Sequence, residues 1–200
     1  MSKRQARYER KTHETRIEAA LDLDGRGEAR VSSGIGFLDH MLCSLARHAR
    51  FDLELAGQGD LEVDDHHTVE DCALVLGELV TRALGRRAGI RRFGSAYAPL
   101  DEALARAVVD LSGRPFAAVD LGLRRERLGA LSCENLPHFF ACFATAAGLT
   151  LHVDLLRGDN DHHRAEAAFK ALALALSEAV SPSGFDDVPS TKGTLTGGSR

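Results

Sequence analysis

The sequence carries one His-His-x-x-Glu motif twice, and this repeat constrains the fold more than any other feature. The first copy is His66-His67-Thr68-Val69-Glu70, and the second copy, His162-His163-Arg164-Ala165-Glu166, begins 96 residues later. Neutral imidazole and carboxylate groups are common ligands of zinc, manganese, iron and nickel. A chain that repeats such a ligand set is expected to fold as two similar halves and to build two related metal sites.

The spacing within the motif indicates how its side chains are arranged on a helix. With 3.6 residues per turn, the first histidine and the glutamate of each copy lie one turn apart on the same face. The second histidine, His67 or His163, points about 100° away from the first. Because adjacent histidines cannot easily bind one ion, each motif is expected to contribute to two different ions.

The surroundings of the motif recur as well, which supports an internal duplication. Residues 17–31 alternate apolar and polar side chains as a half-buried strand does, and residues 105–119 repeat this pattern. Gly25 and Gly113 each follow a short polar residue between two strand-like runs. They predict one hairpin turn in each half.

A helix, a strand and a second helix are predicted to follow each hairpin pattern. Asp39 and Pro137 suit the first turns of the earlier helices, and the strands are predicted at residues 51–55 and 149–153. Each half therefore reads β-β-α-β-α, without the alternating parallel units of a doubly wound fold. We expect an α+β fold of two antiparallel sheets, each with helices on one face.

The duplication also sets the expected domain organisation. The first repeat half is placed at residues 1–87 and the second at residues 88–192, and together they form one functional domain. The segment 85–94, rich in glycine and arginine, is the predicted junction. Residues 193–200 lack periodicity and are predicted to be a disordered tail.

Composition and charge argue against several classes of function. The chain is 44% hydrophobic and 27% charged, as is typical of a globular protein with a sizeable core. Its net charge of −4 gives no reason to expect a nucleic-acid or membrane partner, and no apolar run resembles a membrane span or a signal peptide. The four cysteines lack metal-binding spacing, so we expect reduced thiols and a cytoplasmic protein. They are Cys43, Cys72, Cys133 and Cys142.

A third histidine joins the candidate ligands in each half, since His40 and His138 stand at equivalent places near the start of the earlier helices. The full candidate set is His40, His66, His67, Glu70, His138, His162, His163 and Glu166. Eight donors suffice for two ions with four protein ligands each and leave positions for substrate or water. A donor set without thiolate favours manganese, iron or zinc. His48 either lines the same cavity or caps its helix, and His152 is expected on a strand face.

Two other patterns carry less weight. Asp22-Leu23-Asp24-Gly25 resembles the signature of haloacid-dehalogenase-type phosphatases, but Arg26 stands where that family requires Thr or Val. A glycine-containing hairpin turn explains this sequence better. No glycine-rich phosphate loop occurs, so nucleotide binding is not indicated. Isolated cationic residues are usually solvated, although Lys170 lies one turn beyond Glu166 and so gains weight as an anion contact.

Seven motifs in order resemble those of the imidazoleglycerol-phosphate dehydratase family along essentially the whole chain. They lie at residues 34–42, 64–71, 99–103, 110–115, 138–140, 162–170 and 189–193. The resemblance implies a hydro-lyase of histidine biosynthesis that converts imidazole glycerol phosphate to imidazole acetol phosphate. It also implies a duplicated fold like that of ribosomal protein S5 domain 2, and a homo-oligomer of 24 subunits with active sites between subunits. Pro137 departs from the family pattern, in which an acidic residue often precedes the helix histidine.

The same resemblance implies roles for individual residues. The eight candidate ligands would hold two Mn²⁺ per active site. The implied contacts to the substrate or its phosphate are Glu14, Arg92, Arg114, Lys170, Ser190 and Lys192. For the ions, we predict one set containing His66, Glu70 and His163. The other set contains His162, Glu166 and His67, and His40 and His138 complete the two sets.

The implied chemistry needs an electron sink, because the departing hydroxyl is not next to a carbonyl. Two ions, one at each ring nitrogen, would hold the substrate's imidazole as imidazolate by the Lewis-acid effect that lowers the pKa of bound water to about 7. Hydroxide would leave through a diazafulvene-like intermediate, and loss of the carbon-bound proton would give an enol that tautomerises to the ketone. Glu14 is the candidate acid/base, with Glu70, Glu166 or a metal-bound water as rivals.

Two other functions stay open on the residues alone. A di-metal hydrolase would use ions about 3.5–4 Å apart, usually with bridging carboxylates, whereas this chain offers one glutamate per repeat. A metal-dependent assembly protein would use its histidines only to join subunits. That function predicts closed coordination and leaves the cationic residues unexplained.

Overall fold

The computed structural model describes residues 3–195, and its elements repeat in two halves. The first half contains β1 (Gln5–Lys11), β2 (Thr15–Asp22), β3 (Ala29–Ser32), α1 (Gly36–Ala49), β4 (Asp52–Gly59) and α2 (His66–Leu84). The second half contains β5 (Phe93–Leu100), β6 (Ala103–Asp110), β7 (Phe116–Asp120), α3 (Asn135–Ala147), β10 (Thr150–Arg157) and α4 (Asp161–Val180). A small insert between β7 and α3 forms β8 (Arg127–Leu128) and β9 (Leu131–Ser132).

Each half therefore has the order β-β-β-α-β-α, and the predicted order is wrong because it omits the first strand of each half. The omitted strands, β1 and β5, lie at the edges of their sheets. No residue of β1 is fully buried, and in β5 only Gly94 and Ala98 are. An edge strand that buries so few side chains shows little of the apolar alternation by which strands are recognised.

Both sheets have the same strand order, β1-β2-β4-β3 in the first half and β5-β6-β10-β7 in the second. Neighbouring strands are antiparallel except β3 with β4 and β7 with β10, which are parallel. This arrangement confirms the α+β class with antiparallel-dominated sheets. The hairpins predicted at Gly25 and Gly113 are wrong, because the strands that flank each glycine lie on opposite sides of a third strand. Alternation identifies a half-buried strand but not its partner.

The hairpins of this fold instead join β1 to β2 and β5 to β6. Their turns, at residues 12–14 and 101–102, reach the beginning of α2 and α4, respectively. There His67 approaches Glu14, and His163 approaches Glu102. The two motif histidine pairs and the two hairpin turns therefore lie at corresponding places in the two halves.

The helices pack on one face of each sheet and meet the helices of the other half. Helix α1 contacts α4, and α2 contacts α3, so the core is continuous across the duplication. Phe139, Phe140 and Phe169 are fully buried there, with ring centroids 4.8–6.0 Å apart. Full burial of each such ring contributes roughly 1.5–3 kcal/mol.

Gly77 allows α2 and α3 to approach closely. A Cβ atom at this position would lie 2.7 Å from the carbonyl oxygen of Phe143 and 2.7 Å from the side chain of Ala146. The equivalent residue in α4, 96 positions later, is Ala173, which is fully buried. A methyl side chain is thus accommodated at this position of α4 but not at the equivalent position of α2.

A short polar side chain precedes each of the two motif helices, α2 and α4, and accepts a hydrogen bond from its first turn. The backbone N–H of His66 donates to Asp64 Oδ1 at 2.8 Å, and that of His162 donates to Asn160 Oδ1 at 2.9 Å. Such contacts satisfy N–H groups that have no partner inside the helix. They fix each His-His pair in the first turn of its helix.

The first half ends with α2 at Leu84, and the second begins with β5 at Phe93. Of the predicted disordered tail, residues 193–195 are described and Leu195 is buried, whereas 196–200 lie outside the described residues. Among the described helices, none is long and apolar enough to cross a membrane. All four cysteines are free thiols.

Candidate metal centre

Two groups of metal-ligating side chains lie at the ends of the motif helices. Half-site one consists of His66, Glu70 and His138, and half-site two consists of His40, His162 and Glu166. Within each group the candidate ligand atoms lie within 4.8 Å of one another. Six of the eight predicted ligands are therefore brought together in a single chain, three in each half-site.

Half-site one is organised around one carboxylate oxygen. His66 Nε2 and His138 Nε2 each lie 3.3 Å from Glu70 Oε2, and the two imidazole rings stack with centroids 4.7 Å apart. His66 and Glu70 share a face of α2, as their spacing predicts. Two nitrogens and one oxygen thus converge on a common position.

Half-site two has the same arrangement. His40 Nε2 and His162 Nε2 each lie 3.2 Å from Glu166 Oε2. The carboxylate of Glu166 is mostly buried, whereas half of the His40 side chain is exposed. The open side of the group leaves room for further ligands.

Each half-site combines residues from both halves of the chain. Because α1 packs on α4, His40 joins the motif of the second half. Because α2 packs on α3, His138 joins the motif of the first half. The sequence predicts that these two histidines complete the sets, and the packing of the helices decides which set each one joins.

The second histidine of the first motif, His67, lies outside both groups. Its Nδ1 lies 3.0 Å from Asp60 Oδ2, and its Nε2 faces Glu14 Oε1 at 3.8 Å. The hydrogen bond with Asp60 raises the pKa of His67. A carboxylate that accepts from Nδ1–H directs Nε2 outward, which is the usual way proteins orient a metal-ligating histidine.

His163 is held in the same way in the second half. Its Nδ1 donates to Glu102 Oε2 at 2.7 Å, and this bond raises the pKa of His163. Backbone N–H groups of Asn160 and Asp159 also donate to Glu102. The bond from Asn160, followed by those from His163 and Asp159, lowers the pKa of Glu102 to about 2. The predicted assignment of His67 and His163 to the two ions stays a prediction.

Several side chains contact the half-site histidines, although no sequence motif marks them for this role. Asn135 Oδ1 accepts a hydrogen bond from His66 Nδ1 at 3.1 Å, and the Phe37 ring contacts the His162 ring edge-on at 5.1 Å. Cys142 Sγ lies 3.4 Å from His138 Nε2. Burial raises the pKa of Cys142 to about 11.

Lys170, one turn beyond Glu166, contacts half-site two directly. Its Nζ lies 2.7 Å from Glu166 Oε1. Burial would raise the pKa of Glu166, but hydrogen bonds from Lys170 and His40 outweigh that effect and lower it. A cleft of about 640 Å³ adjoins this half-site and is also lined by Arg47 and His48. His48 therefore lines this cleft. The sequence alone had left open whether His48 lines the cavity or caps its helix.

The other cationic residues predicted to contact phosphate lie elsewhere. Arg92 pairs with Asp110 at 2.7 Å and donates to the carbonyl of Pro189 at 2.8 Å, and Arg114 lies 4.0 Å from the same aspartate. Asp110 ends β6, whereas the beginning of β6 adjoins Glu102. Eight residues of strand span roughly 23 Å.

Arg92, Arg114 and the loop that contains Ser190 and Lys192 thus form a basic cluster at the opposite end of β6 from Glu102. The chain brings only Lys170 to a half-site. The role of the basic cluster in substrate binding stays a prediction.

The geometry argues against two other functions, a haloacid-dehalogenase-type phosphatase and a di-metal hydrolase with bridging carboxylates. Asp24 pairs with Arg4, and Asp22 accepts from the Gln5 side chain at 2.6 Å at the protein surface, so the phosphatase signature is wrong. Among the described residues, neither Glu70 nor Glu166 belongs to both metal-ligating groups. The two half-sites are therefore separate and are not joined by a bridging carboxylate.

A duplicated α+β fold with two open, thiolate-free half-sites defines a candidate metalloenzyme, and comparisons with known proteins agree. The sequence model of the imidazoleglycerol-phosphate dehydratase family matches residues 33–176. The enzyme of that name from Candida glabrata is 57% identical over 93% of this chain and 97% of its own length. The Saccharomyces cerevisiae enzyme is 52% identical over 98% of this chain and 100% of its own length.

Solved structures give the same result. The crystal structure of imidazoleglycerol-phosphate dehydratase from Staphylococcus aureus matches with a TM-score of 0.81 and 35% identity, over 90% of this chain and 99% of that one. The Pyrococcus furiosus enzyme, in complex with (S)-C348, matches with a TM-score of 0.81 and 33% identity, over 94% and 100% of the two chains. The chain belongs to the imidazoleglycerol-phosphate dehydratase family, a family of hydro-lyases in histidine biosynthesis.

Proposed function

We propose that the protein dehydrates imidazole glycerol phosphate to imidazole acetol phosphate with one Mn²⁺ in each half-site. The observation that carries this proposal is the pair of matched groups, each with two imidazole nitrogens and one carboxylate oxygen. Nitrogen and oxygen donors without thiolate suit Mn²⁺, and three donors leave coordination positions open. Bound Mn²⁺ would supply the Lewis acidity that stabilises the substrate's imidazole ring as an anion.

The protein's own residues supply orientation and proton transfer. Glu70 Oε2 and Glu166 Oε2 each face two histidines, so both are engaged as ligands. Glu14 stands at the β1–β2 turn with about half of its side chain exposed. We assign to Glu14 the transfer of the proton from the substrate carbon next to the departing hydroxyl.

We further propose that active sites form between subunits of a homo-oligomer, which the family resemblance puts at 24 copies. Two features support this arrangement. His67 and His163 belong to neither half-site, and their Nε2 atoms face Glu14 at 3.8 Å and Asp101 at 3.9 Å. The basic cluster lies at Asp110, at the opposite end of β6 from Glu102, which contacts His163. His67 and His163, the outer histidines, would complete half-sites of neighbouring copies. Basic loops of neighbouring copies would bind the phosphate. The free thiols accord with a cytoplasmic location.

The decisive experiment is an assay of Mn²⁺-loaded protein with imidazole glycerol phosphate, combined with subunit mixing. Glu70→Ala removes a half-site ligand, and His163→Ala removes an outer histidine that we assign to the same ion. Each variant alone should be inactive. If two chains share each site, co-assembly of the variants should restore activity in about a quarter of the sites, because intact pairs form at random. Mixed assemblies that stay inactive would contradict shared sites, and inactive wild-type protein would contradict the reaction.

A further inference from the structure

The two half-sites present the same ligands in different electrostatic surroundings. In half-site two, Lys170 Nζ lies 2.7 Å from Glu166 Oε1, and the two side chains are only 17% and 13% exposed. The residue equivalent to Lys170, 96 positions earlier in α2, is the half-buried Leu74. Glu70 therefore has no ammonium group one turn away.

The remaining charges increase this difference. Arg10, which interacts electrostatically with Glu70, pairs with Asp71 at 2.6 Å, and this ion pair offsets the effect of Arg10 on half-site one. The cleft beside half-site two is lined by Arg47, His48 and Lys170, and Glu28 is the one acidic residue lining it besides Glu166.

The outer histidines do not offset the difference. Each of them lies within 4 Å of two carboxylates, Asp60 and Glu14 for His67, and Glu102 and Asp101 for His163. Whichever outer histidine completes a half-site, it brings a similar negative environment. The unequal charge therefore comes from the side chains next to the inner ligands.

We propose that the two half-sites bind divalent cations with unequal affinity, half-site one first, and that Lys170 sets the difference. The inference rests on the proposed metal-binding function. An ammonium group beside Glu166 shares the charge of that carboxylate and repels a second cation at the same position. Because both side chains are mostly buried, solvent and salt screen this repulsion weakly. We expect affinities that differ by about tenfold or more.

The test is a Mn²⁺ titration of the metal-depleted full-length protein by isothermal calorimetry, with free Mn²⁺ followed by electron paramagnetic resonance. The wild-type protein should take up two ions per chain in two resolved steps. Lys170→Met should strengthen the weaker step about tenfold and merge the two. Lys170→Arg keeps the charge and should keep both steps. The matched variant Leu74→Lys places an ammonium one turn beyond Glu70 and should weaken the tighter step.

The readout is binding rather than activity, so loss of a phosphate contact at Lys170 does not affect it. Two ions bound with equal affinity in the wild type would overturn the inference and leave the metal-binding function intact. Unchanged affinities in Lys170→Met would also overturn it, because Lys170 would then not set the difference. Absence of Mn²⁺ uptake would instead overturn the proposed function, and this inference with it.

Discussion

The two halves of the chain repeat the candidate metal ligands closely but not the residues around them. Helices α2 and α4 each begin with a histidine pair behind an Asx cap and present histidine and glutamate on one face. The neighbours differ: Asn135 supports His66, whereas the equivalent residue beside His162 is Phe37. Ligand positions are fixed by helix geometry and therefore survive duplication, while neighbouring side chains are free to specialise.

A second difference is the β8–β9 insert, which is present in the second half and contacts the beginning of both motif helices. Asp65, just before His66, accepts from the Ser132 backbone N–H at 2.6 Å. Asp161, just before His162, accepts from the backbone N–H groups of Arg124 and Arg125 at 2.8 and 2.6 Å. One asymmetric segment thus holds the two symmetric helix starts in place.

The largest expected effect tests whether the halves are equivalent in function. Glu70→Ala and Glu166→Ala should each release one Mn²⁺ and lower kcat/KM at least about a thousandfold, because a bound ion contributes several kcal/mol of transition-state stabilisation. Metal content by mass spectrometry and steady-state kinetics check this. Glu78→Ala, on α2 in an exposed ion pair with Arg82, is the control and should change neither. Full activity in either ligand variant would show that only one half-site matters.

A smaller effect should distinguish the supports of the two half-sites. Asn135→Ala removes the acceptor that orients His66 and should weaken Mn²⁺ at half-site one by about 10–100-fold, as loss of such partners does in other metal sites. Phe37→Leu removes only an edge contact with His162 and should change affinity less. Calorimetric titration of both variants measures the difference. Equal effects of the two substitutions would mean that the amide has no special role in orienting its histidine.

Packing between the halves can be tested at equivalent helix positions. Gly77→Ala would force a Cβ to within 2.7 Å of the Phe143 carbonyl oxygen, and should lower the free energy of unfolding by about 1–3 kcal/mol. Ala173→Gly, the reverse change in α4, should cost roughly 1 kcal/mol through helix propensity. Urea denaturation measures both. A stabilised Gly77→Ala protein would show that α2 and α3 are not packed this closely.

The smallest expected effect is on the stability of the folded state at acidic pH. The pKa of Glu102 is lowered from 4.5 to about 2, so its charge stabilises the folded state above pH 4.5, and this contribution is lost as the pH falls towards 2. Glu102→Gln keeps an acceptor for the Asn160 N–H but loses the charge. The melting temperature of the variant should be lower than wild type at neutral pH and should converge with it in acid. A constant difference across that range would point to packing instead of charge.

Spacing along a helix predicted that the first histidine and the glutamate of each motif share a face and that the adjacent histidine diverges from them, and the structure shows both arrangements. That these residues bind metal stays a prediction. The sequence could not predict that His40 joins the second motif and His138 the first, since that depends on how α1 and α3 pack across the duplication. It also missed Asp60 and Asn135, which reach the motif histidines from a loop and from another helix. Asp60 carries no local pattern that marks it.

The errors in the fold have a similar physical origin. The alternation in residues 17–31 and 105–119 correctly indicated strands, but strand partners are decided by the sheet as a whole. The polar edge strand Gln5–Lys11 buries no residue fully and so left no apolar pattern. The phosphate contacts implied by resemblance, among them Lys192, stay a prediction, because no spacing along the chain relates them to Lys170.

We propose that each half-site holds its own ion and that adjacent histidines bind different ions. An anomalous-scattering map of crystals saturated with Mn²⁺ tests it most directly. We expect two peaks per chain, one bound by His66, Glu70 and His138 and the other by His40, His162 and Glu166. A peak bound by both His66 and His67 of one chain, or a single ion shared by the two glutamates, would contradict it.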